Sequence, residues 1–112
     1  ETGEPTIFEL LHTKEEPIIP NKITLYNAYP NPFNPSATIS FDIPENYFVN
    51  LTIFDLAGKK IKTLFNEYMV AGFRSVRWGG LDEQYQPAST GVYFYVLQAG
   101  NFRETKKIIL LK

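Results

Sequence analysis

The sequence predicts an all-β domain, an antiparallel immunoglobulin-like β-sandwich of about seven strands. Apolar and polar residues alternate with a period of two along several segments, which is the pattern of strands with one buried face. Nine Phe, seven Tyr and one Trp, together 15% of the 112 residues, favour sheets over helices. Gly, Pro and Asn mark turns about every ten residues, a spacing typical of sandwiches.

Residues 1–22 are predicted to be a linker or the end of a preceding domain. They contain five Glu, two Lys and three Pro. Apolar residues at 7–11 would suit a short strand, but the prolines favour an extended linker. A chain of this length provides for one domain and not two, so the sandwich is expected to occupy residues 23–112.

The most constrained segment is Tyr29-Pro30-Asn31-Pro32-Phe33-Asn34-Pro35. Each proline fixes its own φ at about −65° and moves the preceding residue out of the helical region. The segment can therefore be neither a helix nor a central strand. It is expected to be a stiff, extended turn that delivers Phe33 to one position.

The first two strands follow this turn. At 38–43 and at 49–53, apolar residues alternate with polar ones, so one face of each strand is expected to be buried. Residues 44–46, Pro-Glu-Asn, form the turn between them.

The third strand is predicted at 60–68, after a turn at 55–59. Gly58 is the residue of this turn expected at positive φ. Ile61 and either Leu64 or Phe65 are the anchors of the strand, and their spacing favours a bulge between them.

The remaining strands are separated by glycine-rich breaks. A break at 71–72 precedes the strand at 75–78, and the longest loop is expected at 81–91. Residues 92–97 are apolar at all six positions, which is typical of a central strand covered on both faces. The last strand, 102–111, is expected to be part of the sheet rather than a loose tail.

Composition argues against several functions. A net charge of −1 gives little electrostatic drive for nucleic-acid binding. The absence of cysteine excludes disulfides and thiolate chemistry, and His12, the only histidine, cannot build a triad or a histidine metal site. No apolar run approaches the roughly 20 residues that span a bilayer, and residues 1–22 are not a secretory signal peptide. We expect no enzyme activity, no cofactor and no resident metal.

The carboxylates are expected to serve turns and solubility. The acidic candidates are Asp42, Asp55, Asp82 and Glu83. Paired carboxylates can hydrolyse glycosides, but in a deep cleft that one small sandwich rarely offers. Calcium binding by the 81–91 loop, with the amides of Gln84 and Gln86, stays an alternative, although no EF-hand spacing is present.

Exposed aromatic residues could instead stack on sugar rings. The candidates are Tyr26, Tyr29, Phe33, Tyr85, Tyr93 and Tyr95. The competing interpretation, which the inward parity of Trp78 favours, is that Phe33, Tyr93 and Tyr95 fill the core. A carbohydrate-binding or spacer module of a polysaccharide-degrading enzyme is the alternative function.

Four segments together resemble one family. They are 25–36, with Pro30-Asn31-Pro32-Phe33; 51–59; 91–100; and the ending Lys106-Lys107-Ile108-Ile109-Leu110-Leu111-Lys112. In this order they resemble the type A C-terminal sorting domain of type IX secretion cargo in the Bacteroidetes and related phyla, over about residues 23–112. The immunoglobulin-like domain of flagellar hook-capping proteins shares part of the pattern, so a self-assembling domain is a third hypothesis.

The resemblance implies a non-catalytic signal at the end of a cargo protein. Its expected partners are the type IX outer-membrane translocon, a sortase-like peptidase that cuts within residues 1–22, and the upstream cargo domain. The cargo would pass through the periplasm of a Gram-negative bacterium to the cell surface or the medium.

The resemblance also assigns roles to residues. Pro30, Asn31, Pro32 and Phe33 shape the start of the domain, Gly58, Gly72 and Gly91 set turns, and Trp78 and Tyr93 belong to the same pattern. The recognised ending is Lys106, Lys107, Ile108, Ile109, Leu110, Leu111 and Lys112. Its strand is expected to offer backbone pairing at a sheet edge, with the lysines adding charge selectivity. The family often has Trp-Asp-Gly where this chain has Trp78-Gly79-Gly80. The resemblance therefore does not predict the conformation of the loop after Trp78.

Overall fold

The computed structural model describes residues 18–112, together with Gly3 and Ile7. His12, the possible strand at 7–11 and most of the predicted linker therefore lie outside the described residues. Within the described part, seven strands follow one another: β1 (Thr24–Leu25), β2 (Ala37–Ile43), β3 (Tyr47–Asp55), β4 (Lys60–Met69), β5 (Gly72–Trp78), β6 (Gly91–Ala99) and β7 (Phe102–Leu110).

The strands form two antiparallel sheets. One has the order β1-β2-β5 and the other the order β4-β3-β6-β7. The predicted antiparallel β-sandwich is thus confirmed. The strand that sequence reasoning missed is β1, whose two residues pair with Asp42 and Phe41 of β2 but are too few to show a period.

The core lies between the inward faces of the two sheets. Alternation predicted this face correctly for β2 and β3, whose inward apolar residues at 39, 41, 43, 49, 51 and 53 are fully buried. Phe41 of one sheet meets Phe65 of the other edge-to-face, with ring centroids 5.7 Å apart. Each such buried side chain contributes about 1.5–3 kcal/mol, so the sandwich is held mainly by this face.

Strand β6 is central in its sheet, between β3 and β7. Its inward residues Tyr93, Tyr95 and Leu97 are buried as predicted. The prediction that its other face is covered too holds for Val96 but not for Val92 or Phe94, which are only partly buried. No third layer packs on this side among the described residues, and the outer face of the sheet stays open to solvent.

Strand β4 contains the predicted irregularity. The partner of β3 jumps from Phe65 to Thr63 and again from Lys62 to Lys60, so Leu64 and Ile61 are the extra residues. Here the edge of β4 is covered by a loop, because Glu83 N–H donates to the Ile61 carbonyl at 3.0 Å and Thr63 N–H to Glu83 Oε1 at 3.0 Å. Such cover blunts an edge that could otherwise pair with another chain.

A buried tyrosine hydroxyl ties the four-stranded sheet to the chain after β1. The Tyr95 hydroxyl donates to the Tyr26 carbonyl at 2.8 Å, and Tyr95 has no solvent exposure. Burial raises the pKa of Tyr95 to about 12, because the phenolate would be poorly solvated there.

We therefore expect stability to fall between about pH 10 and pH 12. The unfolded chain releases the Tyr95 proton near pH 10, whereas the folded chain keeps it up to about pH 12, so rising pH favours unfolding in this window. Urea unfolding of the native chain and of Tyr95→Phe at pH 8, 10 and 11.5 measures this. The alkaline loss should be smaller in the variant. Tyr29→Phe, at an exposed site, is the control and should lose as much stability at alkaline pH as the native chain. If Tyr95→Phe also loses as much as the native chain, the prediction is wrong.

Candidate functional site

The candidate site is the C-terminal strand β7 with the segment that covers its outer edge. Strand β7 is the last strand of the four-stranded sheet and pairs with β6 along its whole length, from Phe102 opposite Ala99 to Leu110 opposite Gly91. The prediction that the C-terminus is part of the sheet is therefore confirmed. The other edge of β7 faces away from β6 and is where a further strand could add.

Residues 31–33, which we call the edge segment, occupy part of that outer edge. Asn31 Nδ2 donates to the Lys107 carbonyl at 3.0 Å and Asn31 Oδ1 accepts from Ile109 N–H at 2.9 Å. Phe33 N–H then donates to the Ile109 carbonyl at 2.9 Å, and Leu111 N–H to the Phe33 carbonyl at 3.0 Å. The amide of Asn31 thus acts as a peptide group and extends a short parallel bridge between Phe33 and β7.

The ring of Phe33 anchors the edge segment. It is 1% exposed and lies 5.4 Å from the Trp78 ring, which in turn lies 5.4 Å from the Tyr93 ring. Trp78 belongs to one sheet and Tyr93 to the other, so this aromatic stack joins both sheets and the edge segment. The prolines on either side restrict the backbone that carries Phe33, as the sequence predicted.

The expectation of backbone pairing at the edge of the recognised ending is wrong for residues 107–111. There the outward N–H and C=O groups of Ile109, and the Lys107 carbonyl, are already bonded to the edge segment. Alternation along an antiparallel strand places the outward groups that the edge segment does not bond at Arg103, at Thr105 and at the Lys107 N–H. Sequence reasoning missed this contact because it joins residues 76 and 78 positions apart, which no local pattern reveals.

The seven residues of the predicted ending do not form one surface. Ile108 and Leu110 are buried in the core, while Lys107, Leu111 and Lys112 are exposed and Ile109 is partly buried on the other side. Lys106 lies on the inward parity, and its Nζ is 3.7 Å from Glu104 Oε2. Two of the three lysines, Lys107 and Lys112, are thus left with exposed side chains.

The predicted turn glycines occupy breaks between strands. Gly58 has a φ of +84°, as expected, in a turn where Asp55 Oδ1 accepts the N–H groups of Ala57 and Lys59, both at 2.9 Å. Gly72 and Gly91 are the first residues of β5 and β6.

The loop after Trp78 is where this chain departs from the family pattern, with Gly79 in place of an aspartate. Gly80 has a φ of +75°, and a Cβ there would lie 3.3 Å from the Leu110 side chain, so this position needs glycine. At Gly79 the nearest atom to such a Cβ would be 4.0 Å away. An aspartate at position 79 would therefore fit, and Trp78-Gly79-Gly80 is compatible with the same turn. Trp78 Nε1–H closes the loop by donating to the Leu81 carbonyl at 2.9 Å.

Asp55 and Asp82 serve turns, as expected, whereas Asp42 of β2 serves neither a turn nor solubility. Asp82 Oδ1 accepts the N–H groups of Gln84 and Gln86, both at 2.9 Å, and Glu83 covers the edge of β4. Asp42 is buried and accepts a hydrogen bond from the Tyr26 hydroxyl, which raises the pKa of Tyr26. Over residues 18–112, no group of three or more His, Cys, Asp or Glu side chains could hold a metal ion.

The six sugar-stacking candidates do not form a row. Phe33, Tyr93 and Tyr95 are buried, as the core interpretation predicted, whereas Tyr29 and Tyr85 are exposed. Tyr85 lies in the loop after β5, where the Lys62 ammonium sits 4.5 Å from its ring centroid. In the part of the chain that the structure describes, no helix has the length and apolarity to cross a membrane.

Comparison with protein families gives one match, to the model of the secretion system C-terminal sorting domain, over residues 27–111. The matched region runs from just before the edge segment to the exposed end of the chain after β7. No curated protein matches the chain.

Several solved structures are similar to this chain, including the following three. Dimeric latent PorU from Porphyromonas gingivalis has a TM-score of 0.60 at 19% identity, over 80% of this chain and 9% of that one. PorZ, a surface component of the type IX secretion system of the same organism, has 0.55 at 16%, over 79% and 11%. FlgD from P. aeruginosa has 0.51 at 20%, over 66% and 57%. At these identities the likeness shows the fold alone, and this chain spans less than two thirds of each structure.

Replacing Asn31 tests the bond between the edge segment and β7. Asn31→Ala removes two exposed hydrogen bonds, so we expect the free energy of unfolding to fall by about 1–2 kcal/mol. Asn31→Asp keeps the acceptor for Ile109 N–H but places a carboxylate oxygen against the Lys107 carbonyl, so it should recover little of the loss. Urea unfolding at pH 7 measures both. An Asn31→Ala domain that unfolds at the native urea concentration would show that these bonds contribute nothing.

Proposed function

Because the chain belongs to the secretion system C-terminal sorting domain family, which directs cargo into type IX secretion, we propose that the outward side chains of its C-terminal strand are what the export machinery reads. A domain of this family is a non-catalytic signal. Type IX machinery recognises it, and its cargo is exported to the surface or medium of a Gram-negative bacterium. The match over residues 27–111 is the observation that carries this function.

The proposed reading surface consists of the exposed residues of the ending. Lys107, Leu111 and Lys112 have exposed side chains, and Ile109 is partly exposed between them. Buried Ile108 and Leu110 hold the strand in place. Because the edge segment occupies the backbone edge at 107–111, recognition here depends on side chains. These are the ammonium groups of Lys107 and Lys112 and the apolar side chains at 109 and 111 between them.

The remaining partners are part of the same proposal. Residues 1–22 are the linker to an upstream cargo domain and contain the bond that a sortase-like peptidase cuts. Residues 23–112 are the sorting domain that the machinery recognises. A protease needs an extended, accessible segment, and the composition of residues 1–22, rich in Glu and Pro, is suited to one.

A reporter fusion tests the function directly. Residues 1–112 are fused to the C-terminus of a periplasmic reporter in a host with type IX secretion. The fusion should reach the surface or the medium, and mass spectrometry of the released reporter should locate the new C-terminus within the linker. Retention of the fusion in the periplasm would reject the function, and a new C-terminus outside residues 1–22 would reject the linker assignment.

Truncating the ending should abolish export. A fusion that lacks residues 108–112 loses two core side chains, Ile108 and Leu110, together with the outward ones. Because such a truncation can unfold the domain, Lys107→Glu with Lys112→Glu is the second variant, since both side chains are exposed and the core is unchanged. We expect both to stay in the periplasm.

The matched control is Lys59→Glu with Arg77→Glu, two exposed cationic residues away from the ending and outside the linker. It makes the same change in net charge and should be exported normally. Export of the Lys107→Glu, Lys112→Glu fusion at the native level would reject these lysines as the residues that are read.

A further inference from the structure

The outer face of the four-stranded sheet carries an unusual set of side chains. Register places its outward residues in rows that cross the strands. The rows are Tyr68 and Phe48; Asn66, Asn50, Gln98 and Arg103; Thr63, Thr52, Val96 and Thr105; Lys60, Phe54, Phe94 and Lys107; and Val92 and Ile109. We call this set the basic face.

All formal charges on the basic face are positive. Lys60 and Lys107 stand at the two ends of one row, with Phe54 and Phe94 between them, and Arg103 stands two rows away on β7. None of the outward positions in these rows is Asp or Glu. The outer face of the other sheet differs, since its Asp42 bonds to Tyr26 and its Arg77 donates to Ser36 Oγ at 3.0 Å.

The polar side chains of the basic face are held in fixed positions. Asn50 Nδ2 donates to Asn66 Oδ1 at 3.1 Å, and the Thr52 hydroxyl donates to Asn50 Oδ1 at 2.7 Å. Arg103 Nη1 donates to Gln98 Oε1 at 2.8 Å, which directs the guanidinium along the row. Ordering these groups in advance reduces the entropy cost of binding.

A groove of about 310 Å³ lies within this face. Its lining includes the aromatic rings of Phe54 and Phe94, the side chains of Val96 and Arg103, and the hairpin residue Leu56, which is 70% exposed. Asp55 also lines the groove, but its Oδ1 accepts hydrogen bonds from the N–H groups of Ala57 and Lys59 in the hairpin turn. The groove offers a place for one apolar side chain of a partner, next to a cation.

We propose that the basic face docks on an acidic protein surface of the export machinery. The proposal rests on the proposed function and extends the reading surface from Lys107 and Ile109 across the sheet to Lys60 and Arg103. The partner presents Asp or Glu side chains around an apolar one, which enters the groove. An apolar centre with a polar rim is the usual arrangement of a protein–protein interface.

The groove favours a protein over a lipid or glycan, because a side chain that projects from an acidic protein surface can enter it. Lys60 and Lys107 are three strand spacings apart, about 14 Å, so the partner presents at least two separate acidic groups. Five rows at about 6.8 Å make a patch of roughly 15 by 27 Å, or about 400 Å², half of a standard interface per partner. Docking of this size is weak and sensitive to salt, which suits a domain that the machinery must release.

Charge reversal on the basic face tests the proposal. The reporter fused to residues 1–112 carries either Lys60→Glu with Arg103→Glu, or the control Arg74→Glu with Arg77→Glu, which makes the same change in net charge on β5 of the other sheet. We expect the first pair to lower the secreted fraction by about tenfold or more, because two attractions become repulsions, and the control to stay near the native level. Circular dichroism of both purified domains checks that the sandwich is intact.

Each remaining outcome overturns the proposal. Export of the Lys60→Glu, Arg103→Glu fusion at the native level would show that the machinery recognises only the C-terminal residues, and the proposed function would stand. Equal loss in both pairs would show an effect of net charge alone. Flotation of the purified domain with vesicles containing 30 mol% phosphatidylglycerol, lost in the Lys60→Glu, Arg103→Glu variant, would assign the face to lipid. Periplasmic retention of the unmodified fusion would instead reject the proposed function.

Discussion

The structure depends on one contact between distant parts of the chain, the bridge between the edge segment and strand β7. Asn31 and Phe33 satisfy the outward backbone groups around Ile109, and the Phe33 ring fixes them against Trp78. Burial of such a ring contributes about 3–5 kcal/mol against truncation, more than the hydrogen bonds themselves. The two segments at either end of the domain, residues 31–33 and 107–111, are therefore one structural unit.

This bridge determines how the end of the chain can be recognised. A β-strand at a sheet edge ordinarily invites another strand to pair, which is a route both to binding and to aggregation. Here the edge segment closes that route at residues 107–111, and a loop through Glu83 does the same for part of β4. What is left for a partner at this end is side chains, and those on the outer face of the sheet are cationic and aromatic.

Alternation predicted the strands and the core because each strand is read from adjacent residues. Ile39, Phe41 and Ile53 are buried where their parity placed them, and Gly58 has its positive φ. Register and long-range contacts were out of reach, since nothing local in Asn31 or Lys60 indicates which strand lies opposite. The family resemblance predicted the function. That Lys106 and Lys107 lie on opposite faces of the sheet, and that Lys60 and Lys107 lie in one row, could be known only from the pairing of all four strands.

The protection of β7 amides against hydrogen exchange tests the central contact most directly. Ile109 N–H is bonded to Asn31 and Leu111 N–H to Phe33, outside the β6–β7 ladder. If the edge segment holds β7 in place, NMR of the free domain will show both amides exchanging nearly as slowly as those between β3 and β6. Exchange at the rate of a fraying terminus would show that the strand is free at its outer edge and that the bridge does not hold it.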